Sequence, residues 1–268
     1  VEHSLSPAIH NAAFQKLGLN FVYLAFKVED LEGAIRGIRA LGNLRGFSVT
    51  IPHKVAVIPY LDEVEPTARH IGSVNTIVVD HDRLTGYNTD ASGAIRALQN
   101  AGVLLQGERA LLLGSGGAAR AIAFALAMEG KIGSLTILGV DEKERRGLLT
   151  DLRARTNLHV EEGPIDEETL RRSIADNRIL LHCTPLGMHP KVQDTCVPAA
   201  LLAPHLTVMD IVYNPLETRL LREAKAAGCR TIPGVDMFLY QAIAQFELWT
   251  GQAAPADVMR AVLVSRFT

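Results

Sequence analysis

The sequence predicts an α/β fold with mostly parallel sheets, divided between two domains. Three observations carry that expectation. Apolar runs of strand length alternate with segments of helical period along most of the chain. One of these runs leads directly into a glycine-rich turn, LLLGSGGAARAIAFAL at 111–126. The chain is also 268 residues long and 48% hydrophobic, enough for more core than one average domain holds.

The elements follow in order. HSLSPAIHNAAFQKLG (3–18) reads as a helix with Ser6 as N-cap and Pro7 at its first position. Ile9, Ala13 and Leu17 line its buried face and Gly18 ends it. FVYLAF (21–26), GFSVTI (46–51) and SVNTIVV (73–79) read as strands, with helical patterns at 30–41 and 53–70 and a further helix from Asp90 to about Gly102. In SVTIPHK (48–54), Val49 and Ile51 anchor the strand, Pro52 ends its ladder, and Lys54 follows at its mouth.

A second block holds RALLL (109–113), LTILGV (135–140), NRILLHC (177–183), LTVMDIV (206–212) and CRTI (229–232) as strands. Helices at 117–129, 142–154 and 217–227 separate them, and a helical segment over 235–267 carries the only tryptophan, Trp249. These patterns divide the chain into 1–101, 102–234 and 235–268, the first boundary falling in NAGVLLQGE with its two glycines.

Composition narrows the chemistry. Twenty-seven Lys+Arg against 29 Asp+Glu, with no basic run, argue against a nucleic-acid partner. No apolar stretch is long enough for a membrane span and no signal peptide is visible, so a cytoplasmic location is the default expectation. Cys183, Cys196 and Cys229 lack CxxC spacing, which favours free thiols; His182, Cys183 and His189 have no zinc spacing, so no metal is expected.

Four motifs carry chemistry. Gly114-x-Gly116-x-x-Ala119 sits between a strand and a helix, where backbone N–H groups and the helix N-terminus cradle a pyrophosphate. Just past the next strand, after Val140, stand Asp141 and Glu142, placed to bond an adenosine ribose and to repel a 2′-phosphate. Arg145 and Arg146 lie a turn too far along to serve one, so the electrostatics favour NAD over NADP. Ser4 and Ser6 place two hydroxyls at a helix start; capping explains Ser6 but not Ser4, and the pair together is a seat for a small carboxylate. Asn88, Thr89 and Asp90 open another helix, with capping by Thr89 or Asp90 the simpler reading, and Asn75 sits inside an apolar strand, where a bare amide is costly.

Together HSLSPAIHN, SVTIPHK, GSVNTI, GYNTDASG, GSGGAAR and GVDMFLYQAIAQFELWTG resemble the shikimate dehydrogenase family, which includes quinate/shikimate dehydrogenases, in order and at about its spacings over the whole chain. The resemblance implies an N-terminal α/β substrate-binding domain, a Rossmann NAD(P)-binding domain, and C-terminal helices packing back on the first, with substrate in the cleft between domains. It implies reversible hydride transfer between a nicotinamide cofactor and 3-dehydroshikimate or shikimate, in aromatic amino acid biosynthesis. By motif, Lys54 and Asp90 form the catalytic pair. Ser4 and Ser6 hold the substrate carboxylate; Thr50, Asn75, Asp90 and Gln241 bind ring hydroxyls, with Tyr213 nearby. Gly114, Ser115, Gly116, Gly117 and Ala118 cradle the pyrophosphate, Asp141 faces the ribose, and Ile211 and Gly234 flank the nicotinamide.

The chain departs from the family pattern twice. The strand that usually precedes HSxSP is missing, which suggests a trimmed N-terminus and an unpaired edge in the first domain's sheet. NADP-using members carry an Asn-Arg-Thr type sequence where Gly139, Val140 and Asp141 stand here, and Glu144 replaces a later arginine. Removing hydride from an alcohol requires a group to take the hydroxyl proton, which assigns Lys54 to proton transfer and Asp90 to orienting it. Two alternatives follow: an NAD-preferring quinate dehydrogenase, and a cofactor-binding sensor without turnover, which the presence of both Lys54 and Asp90 disfavours. The expected partner is a small-molecule substrate, with the chain a monomer or homodimer.

Overall fold

Prolines partition the first ninety residues more finely than helical periodicity suggests. The computed structural model describes residues 4–266, and the chain falls into two compact units: 1–93 with 239–268, and 94–238. In the first unit come α1 (Ser6–Lys16), α2 (Leu31–Arg39), β1 (Gly46–Ser48), α3 (His53–Ala56), β2 (Glu63–Val64), α4 (Pro66–Ile71), β3 (Thr76–Asp80) and β4 (Arg83–Tyr87). The expected helix over 53–70 is instead α3, a 3-10 turn at Ile58–Tyr60, β2 and α4. Pro59 and Pro66 each remove a backbone donor, so a continuous ladder cannot form, and Pro66 starts a helix instead.

The sheet of this unit runs β1-β3-β4-β2. β3 and β4 form a hairpin closed at Asp80↔Arg83, with His81 in the left-handed region at φ 56°. The sequence reading missed β4 because Arg-Leu-Thr-Gly-Tyr has one buried large apolar residue and a glycine. FVYLAF, expected as a strand, joins no ladder: β1 pairs only with β3, and Val22, Leu24 and Phe26 are exposed. Among the described residues, β1 has no ladder partner on its other side. Tyr23 still docks, its backbone exchanging hydrogen bonds with the Asn11 side chain and its hydroxyl donating to Ser48 Oγ at 2.7 Å.

The second unit begins within α5 (Thr89–Asn100) and continues through β5 (Arg109–Leu113), α6 (Gly117–Met128), β6 (Ser134–Leu138), α7 (Glu142–Arg155), β7 (His159–Gly163), α8 (Glu167–Asp176), β8 (Ile179–His182), β9 (Thr207–Asp210), α9 (Arg219–Ala226) and β10 (Arg230–Ile232). Its sheet is wholly parallel, in the order β10-β9-β8-β5-β6-β7, a doubly wound Rossmann arrangement. Leu111, Leu112 and Leu113 of central β5 are fully buried, as a strand covered on both faces requires. The edge strand β7 reads His-Val-Glu-Glu-Gly, too polar to stand out by periodicity. Both unit boundaries fall inside helices, in α5 and in α10 (Gly234–Thr250), rather than in the glycine-bearing stretch at 100–108 that the sequence suggested.

The chain's last helices, the C-terminal part of α10 and α11 (Ala256–Val264), belong to the first unit. Helix α11 packs on α1, and Phe246 of α10 stacks on Phe14 with centroids 5.4 Å apart. Trp249 Nε1 donates to the Ile77 carbonyl at 3.0 Å and lies across Gly46. No helix among the described residues is long and apolar enough to cross a membrane.

Two predictions follow from the packing. A β-carbon at Gly46 would collide with the Trp249 indole and the Ile77 carbonyl. Gly46→Ala should therefore cost about 1–3 kcal/mol, with Trp249 fluorescence reporting a loosened indole in denaturant titrations. The second concerns a buried pair joining β8 to β9. His182 Nδ1 meets Asp210 Oδ1 at 2.9 Å, its Nε2 meets Thr184 Oγ1 at 2.5 Å, and both His182 and Asp210 are buried. Burial opposes the charged imidazole, but hydrogen bonds to Asp210 and Cys196 outweigh it and raise His182 from 6.5 to about 9. Raised above its unfolded value, the group contributes stability in full below about pH 6.5 and loses it as pH rises through about 9. Unfolding free energy should fall by about 3 kcal/mol more between pH 6 and 10 in the native chain than in His182→Asn, which keeps a donor for Asp210.

Candidate active site

The strand–turn SVTIPHK ends β1 at Ser48, yet the ladder carries on through Val49, whose N–H donates to the Asn75 carbonyl at 2.8 Å. Val49 is buried as expected; Ile51 is not, at 83% exposed, because the chain has already turned out of the sheet. The Thr50 carbonyl accepts from His53 N–H at 2.9 Å and starts α3, leaving the Thr50 side chain exposed. The Lys54 carbonyl accepts from Val74 N–H at 2.8 Å, so the lysine is pinned beside the residue that precedes Asn75.

Lys54 Nζ donates to Asp90 Oδ2 at 2.8 Å, with the two side chains 28% and 22% exposed. Asp90 is free for this because it is not the cap of α5. Asn88 takes that role, its Oδ1 accepting the Ala91 N–H at 3.1 Å, which corrects the simpler reading of the sequence. Asn75 is 3% exposed, and its Oδ1 accepts the Thr89 N–H at 2.7 Å. Among the described residues its Nδ2 has no hydrogen-bond partner given by the geometry.

Ser6 does not cap α1. It is the helix's first residue, Leu5 occupies the cap position, and no side chain caps the end. Ser6 N–H donates to Ser4 Oγ at 3.3 Å, so the two serines are brought together at an uncapped helix start, while Leu17 passes the end of the helix and is 38% exposed. Gln241 is buried on α10, in the first unit with all of these residues. Tyr213 lies in the second unit, its ring 5.1 Å from Phe238.

In the second unit the glycine turn follows β5 where the strand order reverses, with β6 on one side and β8 on the other, the position where doubly wound folds take ligands. Gly114 has φ +112°, and a β-carbon there would press on the Cys183 carbonyl at 2.8 Å, so only glycine fits. Helix α6 starts with Gly116 at its N-cap and no side-chain cap, and Gly116, Gly117 and Ala118 are exposed. Open N–H groups at a twelve-residue helix start fit the pyrophosphate of a dinucleotide. Ile211 and Gly234 also meet: a β-carbon at Gly234 would touch the Ile211 carbonyl at 2.5 Å.

The end of β6 is acidic. Asp141 caps α7 by accepting the Glu144 N–H at 2.9 Å, and Glu144 Oε2 accepts from Ser115 Oγ of the glycine turn at 3.2 Å. Arg145 turns inward, with Nε on Glu162 Oε2 at 2.6 Å and Nη1 on the Gly139 carbonyl at 2.5 Å; Arg146 pairs with Glu142 at 2.7 Å. The sequence did not reveal Glu162 as the partner, since it stands on the polar edge strand β7. Thr76 and Gln245, which hydrogen-bond to each other, were missed too. The spacing of Gln245, one helical turn beyond Gln241, was the available signal. Among the described residues no group of three or more His, Cys, Asp or Glu side chains could hold a metal, and Cys183, Cys196 and Cys229 are free thiols.

Residues 1–77 match the shikimate dehydrogenase substrate binding domain, and residues 234–264 match the shikimate 5'-dehydrogenase C-terminal domain. The chain is 49% identical to the shikimate dehydrogenase (NADP+) of Moorella thermoacetica over 98% of its own length and 89% of that protein's. Its fold superposes on the Listeria monocytogenes shikimate 5-dehydrogenase, crystallised with shikimate and NAD, with a TM-score of 0.94 at 40% identity, covering 98% of this chain and 93% of that one. It is similar also to the Corynebacterium glutamicum quinate dehydrogenase in complex with NAD: TM-score 0.90, 30% identity, 98% and 95% coverage. With motifs, fold and near-complete coverage in agreement, the chain belongs to the shikimate dehydrogenase family.

Proposed function

We infer that this chain is an NAD(P)-dependent oxidoreductase that interconverts 3-dehydroshikimate and shikimate. The observation that carries the reading is the Lys54–Asp90 hydrogen bond at 2.8 Å, a proton-carrying group held by a carboxylate. When bound at the glycine turn, a nicotinamide cofactor would supply or accept the hydride at the ring carbon that becomes the ketone. The remaining task belongs to the protein's own side chains. Lys54 Nζ takes the hydroxyl proton as the alcohol is oxidised and returns it on reduction. Asp90 holds Nζ in place and accepts from a neighbouring substrate hydroxyl. Ser4 and Ser6 receive the carboxylate at the start of α1, Thr50, Asn75 and Gln241 bind the ring hydroxyls, and Tyr213 is a further substrate-binding candidate. Gly114, Ser115, Gly116, Gly117 and Ala118 hold the pyrophosphate, Asp141 the adenosine ribose, and Ile211 and Gly234 the nicotinamide.

For the cofactor we propose NAD. Asp141, Glu142 and Glu144 gather at the ribose end of the site, and Arg145 and Arg146 are both engaged by carboxylates. A 2′-phosphate would meet three carboxylates there, while both arginines are already held, Arg145 by Glu162 and Arg146 by Glu142. The Moorella thermoacetica relative is named for NADP+, whereas the Listeria monocytogenes structure holds NAD, so relatives stand on both sides. Likeness to a quinate dehydrogenase keeps quinate as a second substrate to be measured. A cytoplasmic monomer or homodimer, binding neither nucleic acid nor membrane, completes the proposal.

Two measurements test it. Lys54→Met should lower kcat by about 10²–10⁴-fold with the shikimate KM changed less than about threefold, the signature of lost proton transfer. Turnover within a few-fold of the native rate would remove Lys54 from the chemistry. Steady-state rates on shikimate and on quinate, each with NAD and NADP, should give the highest kcat/KM for shikimate with NAD. A kcat/KM with NADP about tenfold above that with NAD would overturn the cofactor assignment.

A further inference from the structure

The Asn75 amide is held by a buried cluster of hydroxyls whose hydrogen count admits very few arrangements. Thr76 opens β3 and is fully buried. Its Oγ1 lies 2.9 Å from Asn75 Oδ1, 3.0 Å from Thr89 Oγ1 and 3.0 Å from Gln245 Nε2. Asn75, Thr76, the start of α5 and α10 thus meet at one oxygen.

A backbone N–H can only donate. The Thr89 N–H, 2.7 Å from the Asn75 side chain, therefore identifies the atom it meets as the amide oxygen. The second lone pair of that oxygen takes the Thr76 hydroxyl proton at 2.9 Å, the shorter of the two hydroxyl approaches, since Thr89 Oγ1 lies at 3.2 Å. With its single proton spent inside the cluster, Thr76 Oγ1 must accept from Gln245, which identifies Nε2 as well. The Thr89 hydroxyl proton then goes to the remaining lone pair of Thr76. Both lone pairs of Asn75 Oδ1 and both of Thr76 Oγ1 are then filled, Gln245 Oε1 stays buried without a partner, and the Asn75 NH₂ is left outside the cluster as a pure donor.

We infer that Thr76 is a positioning residue: its hydroxyl locks the Asn75 amide with the NH₂ toward substrate and couples that orientation to α5 and α10. The inference rests on Asn75 binding a substrate hydroxyl, as proposed above. The locked amide can only donate, so a substrate oxygen facing it must accept, sending its own proton to another acceptor. Thr76 touches neither substrate nor cofactor and acts through Asn75.

The test is a double-mutant cycle in the full-length protein, with shikimate as the probe. Thr76→Val keeps the shape and removes the hydroxyl. It should raise the shikimate KM about tenfold, leave kcat within about threefold, and leave the cofactor KM unchanged. Thr76→Ser, which restores the hydroxyl, should return the KM to within about twofold of native. Because Thr76 works through Asn75, the Thr76→Val change should add little to Asn75→Ala. If Thr76→Val does not fold, Gln245→Met, which withdraws the donor from a different element, should give the same KM signature at smaller size. An unchanged shikimate KM in Asn75→Ala would sink the substrate-binding role of Asn75. A raised KM in Asn75→Ala together with an unchanged KM in Thr76→Val, or with fully additive effects, would overturn the positioning role alone.

Discussion

An amide placed inside an apolar strand has to find hydrogen bonds, and in this protein its search organises the first unit. Asn75 enters β3 with 3% of its surface exposed, where an unpaired carbonyl would cost on the order of 1–3 kcal/mol. It is satisfied by the backbone of Thr89 and the hydroxyl of Thr76, and the same contacts set the start of α5. Thr89 is followed by Asp90, so the first turn of α5 delivers its carboxylate to Lys54. On the other side, Val49 and Val74 tie β1 and α3 to the same strand entry by backbone hydrogen bonds. Lysine, carboxylate and amide are thus all referred to one buried point rather than to three loops.

The second unit is built on a different constraint, the close approach of backbones. Gly114 passes the Cys183 carbonyl and Gly234 passes the Ile211 and Val212 carbonyls at distances that exclude any side chain. Both crossings lie beyond the C-terminal ends of parallel strands. The His182–Asp210 pair sits in the same layer, and Asp210 also accepts from Thr218, the cap of α9, and from the Val212 N–H. The chain after β9 is thus fastened to a buried hydrogen-bonded pair, while the start of α6 carries no side-chain cap.

Much of this was legible beforehand. Strand and helix alternation in 109–232 identified five of the six parallel strands, because a buried parallel strand is a continuous apolar run. It failed at β7, where an edge strand has one face in water and reads His-Val-Glu-Glu-Gly. FVYLAF failed in the opposite sense: it is an apolar run of strand length, yet no backbone ladder among the described residues includes it. Capping was the other weak point. Ser6, Thr89 and Asp90 are all good cap residues, yet Leu5 and Asn88 stand at the positions where the helices start.

What the sequence determined by itself was the α/β class, the order of the motifs and the identities of the groups that could do chemistry. These depend on periodicity and on residue type, which are one-dimensional. Only the tertiary structure decided who partners whom. Lys54 meets Asp90 across 36 positions, Gln245 meets Thr76 across 169, and Arg145 turns to Glu162 instead of toward a ligand. A polar side chain has several local partners within reach of its own backbone. Burial removes water as an alternative and selects among them, and burial is a property of the folded chain.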